Sequence, residues 1–485
     1  MAGIGFELKK IYRKESISRG MLGVVYSSVV TVGPMLMVIA AILLLYFFLG
    51  MTKVSYADRE LLSSTILYTF IFSVILTAPF NVVFSRYLAD KFYTEEYSNI
   101  LASYYTGNSI CCILATVLFL PVGWSLRVRG GIDIPFILAA YVQWISLVIL
   151  FFAITYLHAT KDYKIIALFF FIGMFVCFLS AFAFYKLLDQ DAVHSIIYGL
   201  SLGFFLIAVL DFSYIKRYFR SVSRAYGECL PYLGIFKKLL AANLFYILGL
   251  YVHNFVFWTA PSRLFVASTF YSHQAYDMAS CLAMFTNISV MISFMVVVET
   301  RFHNAYKEYM EGVIGGTYKM IVKARKKLFR TLSQQIIQVF GTQMAITSVI
   351  FLFLILFGTK IGFDSVTMAI YPVLVVAFLG IFMMYGNIIY LYYFADMTGA
   401  VITGALFFAV TLAASLLSST WSVPFWGAGV FLGMLAGWTY SFFRIRWIER
   451  NLDTFIFCDY KVIDTMKSSS KGKIIYRKKE NNAAG

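Results

Sequence analysis

The chain has 485 residues, of which 61% are hydrophobic, 19% aromatic and only 13% charged, with a formal net charge of +16. Soluble domains carry roughly 45–50% apolar and about 25% charged residues, so this composition excludes a soluble enzyme or binding module and indicates a membrane protein. The basic excess flanks apolar runs and fills a tail (468–482), where it suits anionic membrane lipid rather than nucleic acid, and no nucleic-acid partner is expected.

The first segment, "MAGIGFELKKIYRKESISR", is basic and leads straight into a long apolar run, with neither the short apolar core nor the small-residue cleavage site of a secretory signal. It reads as a retained anchor. A bilayer core about 30 Å thick takes about 20 apolar residues per helical crossing. Twelve such runs follow, near 22–49, 61–84, 101–123, 134–157, 165–185, 194–215, 239–259, 278–298, 336–357, 368–394, 399–417 and 425–443. Lipid cannot hydrogen-bond an open backbone, and strands would alternate in polarity where these runs are solid. The expected fold is all-α: a polytopic membrane helical bundle of about twelve transmembrane helices.

Within the runs, Gly33 with Pro34 predicts a break in crossing one and Pro79 another in crossing two. Crossing two is free of charge as far as Ser85, then meets "SRYLADKFYTEEY" (85–97), which sets Arg86, Tyr87, Asp90 and Lys91 at its end. Asp211, near the end of crossing six, and Asp396, after crossing ten, read as interfacial carboxylates. In crossing seven, "YVHNFVFW" (251–258) places His253 and Asn254 at mid-depth, with Tyr251 and Trp258 on nearly one face. Such a polar pair either lines a cavity or makes interhelical hydrogen bonds. Asp277 opens crossing eight. Glu299 closes it beside Arg301 in "TRFHNAYKEY" (300–309), either as an inner-gate ion pair or as a solvated helix end.

Crossing ten ends in "YGNIIYLYYF" (385–394): Tyr385 and Asn387 suit stacking on sugars and bonding their hydroxyls, whereas Tyr390, Tyr392 and Tyr393 suit an interfacial aromatic belt. In crossing twelve, Gly429, Gly433 and Gly437 form a doubled GxxxG, a structural device for close helix approach.

With the N-terminus inside, all but seven of the 40 lysines and arginines fall on inner segments, which predicts a multi-pass protein of the cytoplasmic membrane with both termini cytoplasmic. Six cysteines show no CxxC spacing and read as free, packed thiols. There is no phosphate-binding glycine loop, no metal-ligand cluster and no extramembrane stretch large enough for a catalytic domain, so neither an enzyme nor a cofactor is expected. No carboxylate lies at the centre of a crossing, which counts against a proton- or sodium-driven drug antiporter.

The long inner segment after crossing six divides the chain into a cytoplasmic N-terminal segment (1–21), a six-helix lobe (22–215), a linker (216–238), a second six-helix lobe (239–443) and a basic cytoplasmic tail (444–485). A shift of about 216 residues lays crossing one over crossing seven and the two Arg-aromatic stretches nearly over each other. The lobes therefore read as a weak repeat, and paired helical halves around a cavity are a transporter architecture.

Read together, "MAGIGFELKK" (1–10), "SRYLADKFY" (85–93), "YD" (276–277) and "VETRFHNAYKEY" (298–309) resemble the PelG family of Pel exopolysaccharide exporters, itself similar to the polysaccharide flippases of the multidrug/oligosaccharidyl-lipid/polysaccharide exporter superfamily. The resemblance spans essentially the whole chain. It implies a polymer rich in N-acetylgalactosamine and galactosamine as substrate, a cytosolic PelF-like glycosyltransferase, and PelD-like and PelE-like membrane partners. Carried onto this chain, it makes Arg86, Tyr87, Asp90, Lys91, Glu299 and Arg301 gate or docking residues at the cytoplasmic face. Crossing seven departs from the family pattern, with His253 and Asn254 in place of a charged pair. Rival readings are a flippase of lipid-linked oligosaccharides or small molecules with the same fold, and a scaffold that only anchors the glycosyltransferase.

Overall fold

A computed structural model describes residues 17–160, 162–221, 223–288 and 301–457. The helices are α1 (Ile17–Phe48), α2 (Tyr56–Thr94), α3 (Ser98–Val128), α4 (Ile134–Thr160), α5 (Tyr163–Leu187), α6 (Ala192–Tyr218), α7 (Leu230–Ile235), α8 (Lys237–Phe257), α9 (Gln274–Asn287), α10 (His303–Gly315), α11 (Tyr318–Ile361), α12 (Ser365–Tyr393), α13 (Met397–Ser418) and α14 (Ala428–Phe457). Each of the twelve apolar runs falls on one of the long helices or, for the eighth, on α9 as far as it is described. Nine of the described helices are long and apolar enough to cross a bilayer by length and composition.

The helix pairing repeats. In the first half α1 packs on α5, α2 and α3 on α4, and α4 and α5 on α6; in the second half α8 packs on α13, α9 and α11 on α12, and α12 and α13 on α14. Each pair in the first set maps onto its counterpart six crossings later. Buried apolar side chains accordingly form two clusters, one running from Val38 to Phe270 and the other from Ala242 to Phe455. The chain is thus a helical bundle of two pseudo-repeated lobes.

Close packing inside the second lobe depends on the glycines of α14. A Cβ on Gly433 would sit 2.8 Å from the Thr411 backbone nitrogen, and one on Gly429 2.5 Å from that of Ser415, so α13 and α14 approach at backbone distance. Helices α1 and α2 run unbroken through Pro34 and Pro79, contrary to the expected breaks. The described cysteines, Cys111, Cys112, Cys177, Cys229 and Cys281, are free thiols.

Three features lie outside the apolar pattern. Helix α2 continues through the charged stretch to Thr94, where Glu95 closes it in left-handed backbone (φ 61°). Arg86 to Lys91 therefore occupy its last turns instead of a hinge beyond it, because Phe84, Tyr87, Leu88 and Lys91 still present a buried stripe at helical spacing. Between α8 and α9 an antiparallel hairpin, β1 (Leu264–Val266) and β2 (Phe270–Ser272), pairs Val266 with Phe270 and Leu264 with Ser272. Finally, α11 has 44 residues, about 66 Å at 1.5 Å per residue, twice what a bilayer core needs. Its basic first half pairs with α10 as a helical hairpin on the side of the 219–236 segment, where Ile314, Tyr318 and Met320 are exposed.

Candidate functional site

The lobes meet along α2 and α8, and the two ends of that seam differ in chemistry. At the end bearing the β-hairpin, the seam is aromatic. Tyr68 of α2 stacks on Trp258 with ring centroids 4.5 Å apart, and Phe72 stacks on Phe255 at 5.6 Å. The Tyr68 hydroxyl donates to the Tyr271 carbonyl at 2.7 Å and accepts the Tyr271 N–H at 3.0 Å, which ties α2 to β2. Tyr56 donates to Gln274 at 3.3 Å, and Ser125 meets Thr269 at 3.0 Å. Further along the seam, Asn243 donates to the Ala78 carbonyl at 2.6 Å.

Behind this seam, Asp277 collects donors from three directions: Asn254 Nδ2 at 2.7 Å, Trp258 Nε1 at 3.0 Å and the His273 backbone N–H at 3.1 Å. A carboxylate so satisfied fixes the end of α8 against the start of α9. His273 caps α9 and meets Ser262 at 2.9 Å; burial lowers its proton affinity below the ordinary imidazole range. His253 is fully buried and pairs with the Tyr276 hydroxyl at 3.0 Å. Thus His253, Asn254 and Trp258 form interhelical hydrogen bonds near the hairpin end, because α8 stops at Phe257 and leaves Asn254 about 5 Å from its terminus. Tyr251 lies one turn before and packs against the second lobe's core.

The other end of the seam, bearing the segment that joins the lobes, is ionic. Arg86 pairs with Asp90 at 3.3 Å and lies over the Phe236 ring at 5.8 Å, within electrostatic reach of Tyr306 on α10. Tyr87, 1% exposed, donates to Glu228 at 3.4 Å and meets Tyr232 edge to face at 5.0 Å. Lys91, 7% exposed, ion-pairs with Glu228 and with Glu96 at 2.5 Å. Asp90 also accepts the Tyr232 hydroxyl, whose pKa burial pushes up to about 12. All four residues singled out in "SRYLADKFY" therefore grip one short stretch, Glu228 to Phe236. Backbone contacts reinforce it: Ser223 N–H donates to the Ser98 carbonyl at 3.0 Å, and Thr106 donates to the Tyr226 carbonyl at 2.7 Å.

The second lobe holds a related arrangement: Tyr309 donates to Asp453 at 3.3 Å, and Arg325 ion-pairs with the same carboxylate. In both lobes a segment after the sixth crossing returns one acid to a tyrosine and a basic side chain. Arg301 is not part of it; it is exposed and donates to Gln338 at 3.4 Å, and Glu299 lies outside the described residues. In α12, Asn387 donates to Ser441 at 3.0 Å and Tyr385 stacks on Tyr246 at 4.7 Å. Tyr390 and Tyr393 pack around the buried Phe302 at 4.8 and 5.2 Å, so these two tyrosines belong to the interior, not to a lipid-facing belt. Glu228 and Tyr232 were not foreseen, although Glu228 is the single acid in an otherwise basic 216–238 segment.

The PelG family model, described as an exopolysaccharide exporter (EPS-E), matches residues 1–457. The chain belongs to the PelG family. Its fold is that of MATE transporters of the MOP superfamily. The Vibrio cholerae MATE transporter VcmN, in a point-mutant form, superposes with a TM-score of 0.59 at 14% identity over 92% of this chain and 98% of that one. An inward-facing multidrug MATE transporter gives 0.56 at 12% over 82% and 92%, and the eukaryotic transporter AtDTX14 gives 0.56 at 11% over 88% and 96%. No curated protein matches the chain. Family and fold make this PelG-family chain a multi-pass membrane protein of exopolysaccharide export.

Proposed function

We propose that the chain exports a Pel-type polysaccharide, rich in N-acetylgalactosamine and galactosamine, across the cytoplasmic membrane through a conduit between its lobes, in the manner of a flippase and for the biofilm matrix. The observation that carries this reading is the family match over 1–457. Both termini and the Glu228–Phe236 clasp lie on the cytoplasmic side, and the β-hairpin lies outside. The ionic clasp of Arg86, Tyr87, Asp90 and Lys91 is then the inner gate, and the aromatic seam the outer one. Arg301, with Glu299, belongs to the cytoplasmic face where a partner docks. The protruding α10–α11 pair, basic with an exposed apolar tip, suits docking of a PelF-like glycosyltransferase, with PelD-like and PelE-like proteins beside it in the membrane. Protein catalysis is not part of this role.

One physical constraint shapes the cargo. Moving a positive charge outward against a negative-inside potential costs roughly 2.3 kcal/mol per 100 mV. A polycation accumulates that cost with every residue, so the sugars cross acetylated and neutral, with chain synthesis supplying the push.

The test is secreted galactosamine polymer, detected by lectin, in cells lacking this chain and complemented with wild type, Arg86→Ala, Lys91→Ala or a Tyr56→Cys/Gln274→Cys pair. Wild type should restore secretion, the clasp variants should lower it at equal membrane abundance, and a membrane-impermeant thiol crosslinker should stop it in the cysteine pair. Secretion that persists under crosslinking would instead favour the scaffold that only anchors the glycosyltransferase.

A further inference from the structure

Two deeply placed carboxylates of the helical bundle, Asp277 and Asp396, are satisfied. Asp277 has its N–H donors, and Asp396 ion-pairs with Arg444 at 2.5 Å while capping Gly399 at 3.0 Å. Asp211 of α6 is different. It is fully buried, makes no ion pair among the described residues, and neither of its oxygens has a hydrogen-bond partner. Expected at an interface from its place near the end of crossing six, it is instead enclosed by the first lobe.

Its neighbours on α3 share the same deficit. Tyr104, fully buried, lies within electrostatic reach of Asp211, and its hydroxyl has no partner. Tyr104 and Tyr105 both pack their rings on Phe212, at 5.8 and 5.7 Å, so α3 and α6 face each other at this level through side chains. One turn further along that face of α3, Asn108 has a buried Oδ1 with no partner. Acceptors dominate the deficit: two carboxylate oxygens and one amide oxygen have unmet lone pairs, the Tyr104 hydroxyl adds a lone pair and the one unmet donor, and no side-chain N–H of this group is in want of an acceptor. A buried anion without counter-charge is prohibitively costly, so this pocket asks for a positive species.

We infer that Asp211, Asn108 and Tyr104 form a binding site for a monovalent alkali cation, Na⁺ or K⁺, inside the first lobe. The ligand set is all hard oxygen, which suits alkali and alkaline-earth ions rather than softer metals. A single carboxylate neutralises one charge and leaves a divalent ion with a net positive charge in a dry site, which decides for a monovalent one. The site is separate from the seam between the lobes and lies under the linker, whose Tyr226 carbonyl is held by Thr106 of the same α3 turn.

The test is calorimetric titration of the purified full-length protein in detergent with NaCl or KCl, with choline chloride holding ionic strength constant. Wild type should give a saturable heat, Asp211→Asn should abolish it, and Asn108→Ala should weaken the affinity about tenfold or more, the equivalent of one contact to a charge. Both variants should unfold thermally as wild type does in choline chloride, so that loss of binding is not loss of fold. No saturable heat in wild type, or wild-type affinity in Asp211→Asn, would overturn the assignment. So would an infrared band of a neutral carboxyl that Asp211→Asn removes and saturating Na⁺ and K⁺ leave intact, because the bound positive species would then be a proton.

Discussion

Replacing Glu228 by Gln tests whether the clasp holds the segment between the lobes. Lys91 is 7% exposed, and the Glu228 side chain that neutralises it is 17% exposed, against 46% for its other partner, Glu96. Stranding a buried charge costs roughly 3–5 kcal/mol. Here Lys91 keeps Glu96, half in water, so the loss is nearer that of one charge-assisted hydrogen bond, about 1.5–3 kcal/mol. The clasp secures Glu228 to Phe236 at the edge of the first lobe's core, which Tyr87 and Cys229 join; the exchange at Glu228 removes a charge and no apolar packing, so this free energy acts on local release of the linker rather than on global unfolding. At 1.4 kcal/mol per factor of ten, the released population should rise about 10- to 100-fold. Limited trypsin cleavage after Arg220 and Arg224, both exposed on the linker, reads that population when opening is fast relative to cutting. Glu228→Gln and Lys91→Met should each accelerate cleavage, and the double variant should be little worse than either. Wild-type cleavage rates in both single variants, or effects that simply add, would refute the clasp.

Trp258→Phe keeps a ring against Tyr68 but removes an N–H that reaches both oxygens of Asp277 at 3.0 Å; thermal unfolding should show a loss of about 1–3 kcal/mol. Because burial lowers the pKa of His273, the unfolded hairpin binds protons more tightly than the folded one. Stability at the hairpin end should therefore be full above about pH 6.5 and fall as the pH drops below it, and His273→Gln should flatten that dependence in hydrogen exchange of residues 262–277. Gly433→Val drives a side chain into the Thr411 backbone and should cost about 1–3 kcal/mol and lower membrane abundance. Gly341→Val, where a Cβ meets nothing within 4 Å, should be silent in the same assay.

The helices were legible because lipid imposes one rule on every crossing, and charge-free runs record it directly. What the runs do not record is where helices extend into water. Arg86 and Asp90 look like a stop signal, yet spaced four apart they support a further helical turn while Tyr87 and Leu88 carry the buried stripe onward. The hairpin was hidden because its turn places Ala267 and Ser268, at φ 47° and 49°, in left-handed backbone without the Asn-Gly or Asp-Gly pair that announces such turns. Asp211 and Asp396 looked alike in sequence, each near a helix end. Only tertiary packing separates them, since Arg444 comes from a helix 48 residues away and nothing equivalent among the described residues reaches Asp211. For the clasp, four residues were readable from one charged stretch, but their partners were not, because Glu228 and Tyr232 are about 140 residues distant and are brought in by the linker's return.

The unequal chemistry of the two ends of the seam bears on how the proposed polymer cargo would pass. A transporter of small molecules can close one end before opening the other, and it needs the two closures to lie within a few kcal/mol of each other. A polysaccharide longer than the bilayer is thick occupies both ends at once, so strict alternation fails once threading begins. On the proposed function the aromatic seam, built from Tyr68 on Trp258 and Phe72 on Phe255 with main-chain bonds to β2, is a seal that the first sugars would part. Aromatic faces released from each other are themselves surfaces on which sugar rings stack, so opening exchanges one set of ring contacts for another instead of exposing them to water. The ionic clasp has no such exchange available with a neutral chain. On the proposed function it closes the inner end by holding the linker, and a cytosolic partner docked on α10 and α11, as proposed, would bias that closure without touching the sugar.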